Sequence, residues 1–247
     1  MNDHQLIRYS RHIFLDGFDT QGQEQLLSSH VLIVGMGGLG SPVASYLASA
    51  GVGRLTVCDF DEVELSNLQR QILHRDTRLG MNKAESAKIE LESINRDCQV
   101  TPVSERVDSA MLDRLIPTID VVVDASDNFE TRHLINRSCV KHRKPLISGA
   151  AINYAGQVAV FDLRDDQTAC YACFVPEGTP TMVDQCSTSG VLASLTGTIG
   201  SIQATEVINL LVSGRSHLNG RVMLYDAREG EFSTLPVVKN SRCKVCV

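Results

Sequence analysis

A run of closely spaced glycines, Gly35-Met36-Gly37-Gly38-Leu39-Gly40, directly follows a short apolar stretch and opens a helix-compatible one. In that context backbone N–H groups can approach phosphate oxygens at a helix N-terminus. Asp59 closes the next apolar stretch, about 20 residues on, where an acid commonly accepts hydrogen bonds from a ribose. Together they point to a nucleotide without separating ATP from NAD, and the glycines could equally serve close helix–sheet packing. Arg70 and Lys83 lie just beyond Asp59. A triphosphate under attack needs several cations to neutralise charge moving toward the leaving group, whereas a dinucleotide needs few. Asp127 follows the apolar run that ends at Asp124. Its carboxylate could hold Mg²⁺ against phosphate oxygens, or cap the helix that begins there. Two C-x-x-C pairs, Cys170/Cys173 and Cys243/Cys246, fit a tetrahedral Cys₄ zinc site, although their separation is long for a zinc ribbon.

These groups need elements to hold them. Residues 30–35 and 54–59 read as strands, with a helix over 41–50 between them, a spacing that suits a parallel βαβ crossover. Residues 83–95 carry apolar or small positions at helical spacing. Strands are expected at 99–103, 119–124 and 145–148, with helices over 109–115 and 128–142. This alternation predicts an α/β fold, a Rossmann-like, doubly wound, mostly parallel sheet. After Gly149 the rhythm changes: residues 156–163 and 221–226 read as strands without crossovers, so antiparallel strands should extend the sheet. A long buried helix is expected over 190–211. Residues 176–189, rich in Pro, Gly, Ser and Thr, read as a mobile surface loop carrying Cys186.

Composition narrows the function classes. The 247 residues are 43% hydrophobic and 21% charged, the balance of a folded globular protein. A net charge of -6 opposes nucleic-acid binding, and no apolar run is long enough to cross a bilayer. No signal peptide is visible, so a cytoplasmic protein is expected. In that compartment eight cysteines are metal ligands, core thiols or reactive groups rather than a disulfide framework. Cys58, Cys98 and Cys139 read as core residues. The seven histidines show no nucleophile–base arrangement and read as surface or structural residues.

Taken jointly, Arg8-Tyr9-Ser10-Arg11, the glycine run, Asp59-Phe60-Asp61, Ser66-Asn67-Leu68-Gln69-Arg70-Gln71, Lys83, Asp124-Ala125-Ser126-Asp127-Asn128 and the paired C-x-x-C motifs resemble the MoeB/ThiF family of ubiquitin-activating-enzyme-like adenylyltransferases. The resemblance spans essentially the whole chain. It implies that Asp59 binds the ATP ribose, that Asn67, Arg70 and Lys83 bind the phosphates, and that Asp127 holds magnesium. The glycine loop at Gly35, Gly37, Gly38 and Gly40, with Ser66, Leu68, Gln69 and Asn128, would complete the nucleotide site. Arg11 would reach into the partner protomer's site of a homodimer, and the four paired cysteines would hold a structural zinc that pins the C-terminal tail.

The implied reaction is ATP-dependent adenylation of the C-terminal glycine of a ubiquitin-like sulfur carrier with a Gly-Gly tail. The run from Tyr46 to Gly53 and the segment Ser148–Ile152 look more like the MoeB type, which serves the carrier MoaD in molybdopterin synthesis, than the ThiF type, which serves ThiS in thiamine synthesis. In some relatives a loop cysteine links covalently to the carrier, so Cys186 is either such a residue or an exposed thiol. Two departures stand out: Asn82 where the family often has proline, and Val247 where it has glycine. A single domain over 1–247 is expected, with a helical segment at 1–29, a nucleotide-binding half at 30–150 and a carrier-binding and zinc half at 151–247. An NAD-dependent oxidoreductase is the alternative from another class, resting on the glycines and Asp59 alone.

Overall fold

Strand β1, His30–Val34, is almost wholly buried and β-branched, and it lies at the centre of the fold. Its four residues after His30, Val31 to Val34, are apolar without interruption and cannot face water on either side, so the strand needs helices on both faces. The computed structural model, which describes residues 1–178 and 190–247, provides them. Helix α4, Gly40–Ala50, returns the chain to β2, Arg54–Cys58, parallel to β1. Helix α5, Lys83–Ile94, leads to β3, Gln99–Val103, on the outer side of β2. The chain then crosses back through α6, Ser109–Leu115, to β4, Val121–Asp124, on the other side of β1. Helix α7, Phe129–His142, connects to β5, Leu146–Ile152.

From β5 onward neighbours run antiparallel. β6 spans Ala155–Phe161, β7 Arg221–Asp226 and β8 Glu231–Pro236, giving an eight-stranded sheet in the order β3-β2-β1-β4-β5-β6-β7-β8. The α/β expectation, with antiparallel strands continuing a mostly parallel sheet, is therefore met. β5 continues to Ile152, four residues past its expected end, because its last residues pair in register with β6. β8 was not anticipated. All six of its residues are exposed, so no apolar alternation marks it in the sequence.

Helix α9, Ala193–Ser213, begins and ends slightly later than expected and packs on β4, β5 and β6. Three N-terminal helices precede the sheet: α1 at Asp3–Arg8, α2 at Ser10–Ile13 and α3 at Asp19–Ser28. One apolar cluster joins α4, α5 and α9 to one face of the sheet. The other lies beneath α6, α7 and the short helix α8, Tyr171–Phe174. Cys58, Cys98 and Cys139 are buried as expected. Burial pushes the Cys58 and Cys98 thiols up to about 12, and Cys139 also rises, so none is a thiolate at neutral pH. Cys186, like most of the expected 176–189 loop, lies outside the described residues. No described helix is long and apolar enough to cross a membrane.

Candidate functional site

Between β1 and β4, which run parallel, the order in which strands are added to the sheet reverses. At their carboxyl ends crossovers leave β1 and β4 toward opposite sides, opening a crevice in which open α/β sheets bind ligands. A cleft of about 1130 Å³ occupies it and runs on beneath β6 and β7. Of the residues singled out in the sequence, it gathers Gly35, Gly37, Gly38, Asp59, Ser66, Asn67, Gln69, Arg70, Lys83, Asp127 and Asn128.

The glycines divide the work. Gly35 has φ +97°, and a Cβ on it would meet the Ala125 carbonyl oxygen at 2.6 Å, so the turn out of β1 excludes any side chain. Gly40 lies outside the cleft, and a Cβ there would meet the Gly35 carbonyl oxygen at 1.9 Å. It is the residue that lets α4 start directly over the turn. Gly37 faces the cleft. Helix α4 has no side-chain cap at its N-terminus, but Ser41 N–H donates to the Gly37 carbonyl at 3.0 Å and Pro42 has no N–H, so it is the glycine loop before the helix that can offer N–H groups to a ligand.

Asp59 holds the loop in place. One carboxylate oxygen accepts the Met36 N–H at 2.7 Å and the other the Asp61 N–H at 2.9 Å. Burial raises its pKa, partly offset by Lys83. Lys83 sits at the first turn of α5 with its Nζ 3.0 Å from the Asp61 carboxylate. The side chain of Asn82 caps α5, its Oδ1 accepting from Ala84 N at 2.9 Å, while its Nδ2 donates to the Asp59 carbonyl at 2.9 Å. This cap ties the lysine to the aspartate strand. An Asn directly before a helical run is an N-cap signal in the sequence.

Residues 65–67 form a 3₁₀ turn. Asn67 is buried in it, its Oδ1 accepting the Glu64 N–H at 3.3 Å, and Arg70 is held over the turn by donating to the Ser66 carbonyl at 3.2 Å. Leu68 is part of the turn but does not line the cleft. Across the crevice, buried Asp124 accepts from Ser126 N at 3.1 Å, Ser126 Oγ at 2.6 Å and Ser148 Oγ at 2.7 Å. Gln203 of α9 donates to the Asp124 carbonyl at 2.9 Å. This network fixes the loop carrying Asp127. The capping alternative for Asp127 is overturned, because Asn128 caps α7 by accepting the Thr131 N–H at 2.9 Å. The Asp127 carboxylate is thereby left exposed in the cleft, a donor suited to a magnesium ion that shares its shell with phosphate oxygens and water.

Arg11 does not reach the cleft of its own chain. It borders a separate hollow of about 280 Å³ with Tyr9, Tyr46 and Thr205.

The two C-x-x-C pairs meet although 73 residues separate Cys170 from Cys243. Their four sulfurs lie within 4.8 Å of one another, with Cys170–Cys243 at 3.8 Å and Cys173–Cys246 at 3.5 Å. A tetrahedral zinc with Zn–S of about 2.3 Å has sulfur–sulfur edges of about 3.8 Å. Asn136 Nδ2 and Asn240 N point at Cys170 and Cys173 sulfurs, at 3.6 and 3.4 Å, as donors suited to thiolates. The donor set therefore fits a closed four-sulfur metal site.

His74 was read only as structural, and the structure gives it a specific task. It is buried, with Nε2 2.9 Å from the Met36 carbonyl and Nδ1 2.9 Å from Ser86 Oγ. A carbonyl only accepts, so Nε2–H donates and neutral Nδ1 accepts from the serine. Asp59 and His74 thus hold the two successive peptide groups that flank the Met36 Cα.

The ThiF family model matches residues 9–245 of the chain. The SAMP-activating enzyme E1 of Haloferax volcanii is 48% identical over 243 residues, spanning 98% of this chain and 89% of that protein. The molybdopterin-synthase adenylyltransferase of Escherichia coli K12 is 45% identical over 249 residues, spanning 100% of this chain and 98% of that protein. Among solved structures, E. coli MccB with ATP superposes with a TM-score of 0.85 at 25% identity, over 97% of this chain and 73% of that one.

Burial lowers the His74 pKa from its ordinary 6.5. As pH falls the unfolded chain takes up the proton before the folded one, so the stability His74 contributes is full above about pH 6.5 and is lost as pH drops through that value. Replacing it with glutamine should cost about 1 kcal/mol near pH 7.5. The melting-temperature gap between wild type and His74→Gln should narrow on acidification to about pH 5.5; a gap independent of pH would show that His74 is not held neutral.

Proposed function

From the premise that the chain belongs to the ThiF family, we propose that it adenylates the C-terminal glycine of a ubiquitin-like sulfur carrier, of the MoaD type used in molybdopterin synthesis. The observation that carries this reading is the convergence, in one cleft, of a glycine loop able to cradle phosphate, the cations Arg70 and Lys83 and the exposed carboxylate of Asp127. Near-complete coverage of an E. coli molybdopterin-synthase adenylyltransferase at 45% identity supports the same substrate class. An NAD-dependent oxidoreductase would leave Arg70, Lys83 and the cysteine cluster without a purpose.

A carboxylate is a poor acylating group because oxide leaves badly. Attack of a carboxylate oxygen on the α-phosphorus of ATP forms one P–O bond and breaks the bond to the β-phosphate. Pyrophosphate departs with the electron pair and an acyl-adenylate remains. No proton needs to move, so catalysis rests on positioning and on charge placed where it develops. Asp59 accepts from the ribose hydroxyls, Asn67 and the loop N–H groups hold phosphate oxygens, and Arg70 and Lys83 face the charge that grows on the leaving pyrophosphate. Magnesium held by Asp127 would neutralise phosphate charge. Lys83 must exchange its ion pair with Asp61 for the phosphates, which keeps the cation poised at the site until ATP enters. The cleft's continuation past Gly156 toward Tyr225 gives an extended Gly-Gly tail a course along the antiparallel strands.

Arg11 lies outside its own cleft, consistent with service to the neighbouring site of a homodimer. The four cysteines of the cluster are unbridged, which accords with a reducing cytoplasm. The unit reads as one domain over 1–247, its nucleotide half at 30–150 and its carrier and zinc half at 151–247, preceded by helices at 1–29.

ATP–pyrophosphate exchange should depend on an added carrier and should fall roughly 100-fold in Asp127→Asn or Arg70→Ala. Running MoaD, ThiS and a SAMP in parallel identifies the carrier; preference for ThiS would move the role to thiamine synthesis, and no exchange with any Gly-Gly carrier would reject the reading. The metal is tested separately. Cys173→Ala should lose bound zinc and melt at lower temperature together, and full zinc content in that variant would sink the assignment.

A further inference from the structure

The nucleotide reading places phosphates at the end of β1 and ribose at the end of β2, and leaves the base unassigned. A base attached to a ribose at Asp59 must continue away from β1, toward the end of β3. There β2 and β3 stop together: Cys58 pairs with Val103, and Asp59 N donates to the Val103 carbonyl at 3.1 Å. The two chains then leave side by side, and Phe60 and Arg106 turn toward each other across the cleft. The Arg106 guanidinium carbon lies 3.9 Å from the centroid of the Phe60 ring. Both residues line the cleft.

Phe60 belongs to neither apolar cluster of the core. Phe60 remains 44% exposed. Among the described residues Arg106 makes no ion pair, although the exposed carboxylate of Glu105 is its neighbour in sequence. A guanidinium laid flat on an aromatic ring has a second face, and that face is free to take another flat π system. Its position next to the ribose carboxylate, at the distal end of the site, is where such a system would arrive.

We propose that Arg106 is the base-binding residue of this enzyme: its guanidinium, held flat by Phe60, stacks on the adenine of ATP. The inference rests on the adenylation reading and adds to it the contact that the glycine loop and Asp59 cannot supply. Stacking reads a flat surface rather than an edge, so the contact favours any purine nucleotide over a base-free polyphosphate and contributes affinity more than choice between adenine and guanine.

The test is calorimetric titration of the full chain with ATP and with inorganic tripolyphosphate, for wild type, Arg106→Ala, Arg106→Lys and Phe60→Leu. Arg106→Ala should weaken ATP about 5- to 20-fold and leave tripolyphosphate unchanged, and in pyrophosphate exchange the loss should fall on KM for ATP. Arg106→Lys keeps the charge without the plane and should recover only part of the affinity, while Phe60→Leu should lose part of it. ATP binding equal to wild type in Arg106→Ala overturns the proposal. So does a parallel loss of tripolyphosphate affinity that lysine restores in full, because that would be attraction of phosphate by charge alone. Failure of the wild type to bind ATP is a different result, which removes the adenylation reading itself.

Discussion

The fold hinges on how closely two pieces of backbone approach at the end of β1. Gly35 turns under the Ala125 carbonyl, and Gly40 starts α4 directly above Gly35, with 1.9 Å between a would-be Cβ and the oxygen below. No side chain fits at either point. That crowding brings the start of α4 and the end of β4 to opposite lips of one crevice, so a phosphate bound by the loop lies beside the carboxylate that follows β4. Asp59 accepts the Met36 N–H and His74 donates to the Met36 carbonyl, so the two successive peptides of the loop are both held in this shape. The site is therefore largely built before ATP arrives, which lowers the ordering cost of binding.

The far lip is supported from a different direction. Asp124, Ser126, Ser148 and Gln203 form a buried hydrogen-bonded group that ties β4, β5 and α9 together just beneath Asp127. Helix α7 starts from the same loop and runs to the cysteine cluster. Its Arg132 donates to the Ser126 carbonyl at 2.7 Å, and its Asn136 accepts the Tyr171 N–H at 2.9 Å, between the first two cysteines. Tyr171 packs edge-on against His133 of the same helix. A metal in the cluster would thus stabilise more than the C-terminal tail, because the helix it would brace starts from the loop that carries Asp127.

Much of this was legible from residue patterns. Alternating apolar runs and helical periods marked the five parallel strands, since β1, β2, β4 and β5 are largely buried on both faces and their sequences have little freedom, while the half-exposed β3 was placed by the helix before it. The glycine spacing and Asp59 marked the nucleotide end of the cleft. β8 left no trace because every residue on it is exposed, and exposure removes the alternation that identifies a strand. Asp127 was the expected cap of α7, but the helix begins one residue later and Asn128 caps it by accepting the Thr131 N–H, a shift that the residue types alone do not mark. His74 was invisible for another reason: its partners, the Met36 carbonyl and Ser86, are backbone and side-chain groups from distant segments, and such a contact has no spacing rule. The meeting of the cysteine pairs, 73 residues apart, likewise depends on β6, β7 and the connecting segments folding back, and resemblance rather than spacing anticipated it.

The central claim is that a carboxylate attacks the α-phosphorus in this cleft. It is tested most directly with a carrier whose C-terminal carboxylate is labelled with oxygen-18, incubated with ATP, magnesium and the protein, and then released with hydroxylamine. The account predicts one labelled oxygen in the AMP and none in the pyrophosphate. Label in inorganic phosphate, or AMP without label, would place the attack elsewhere and contradict it.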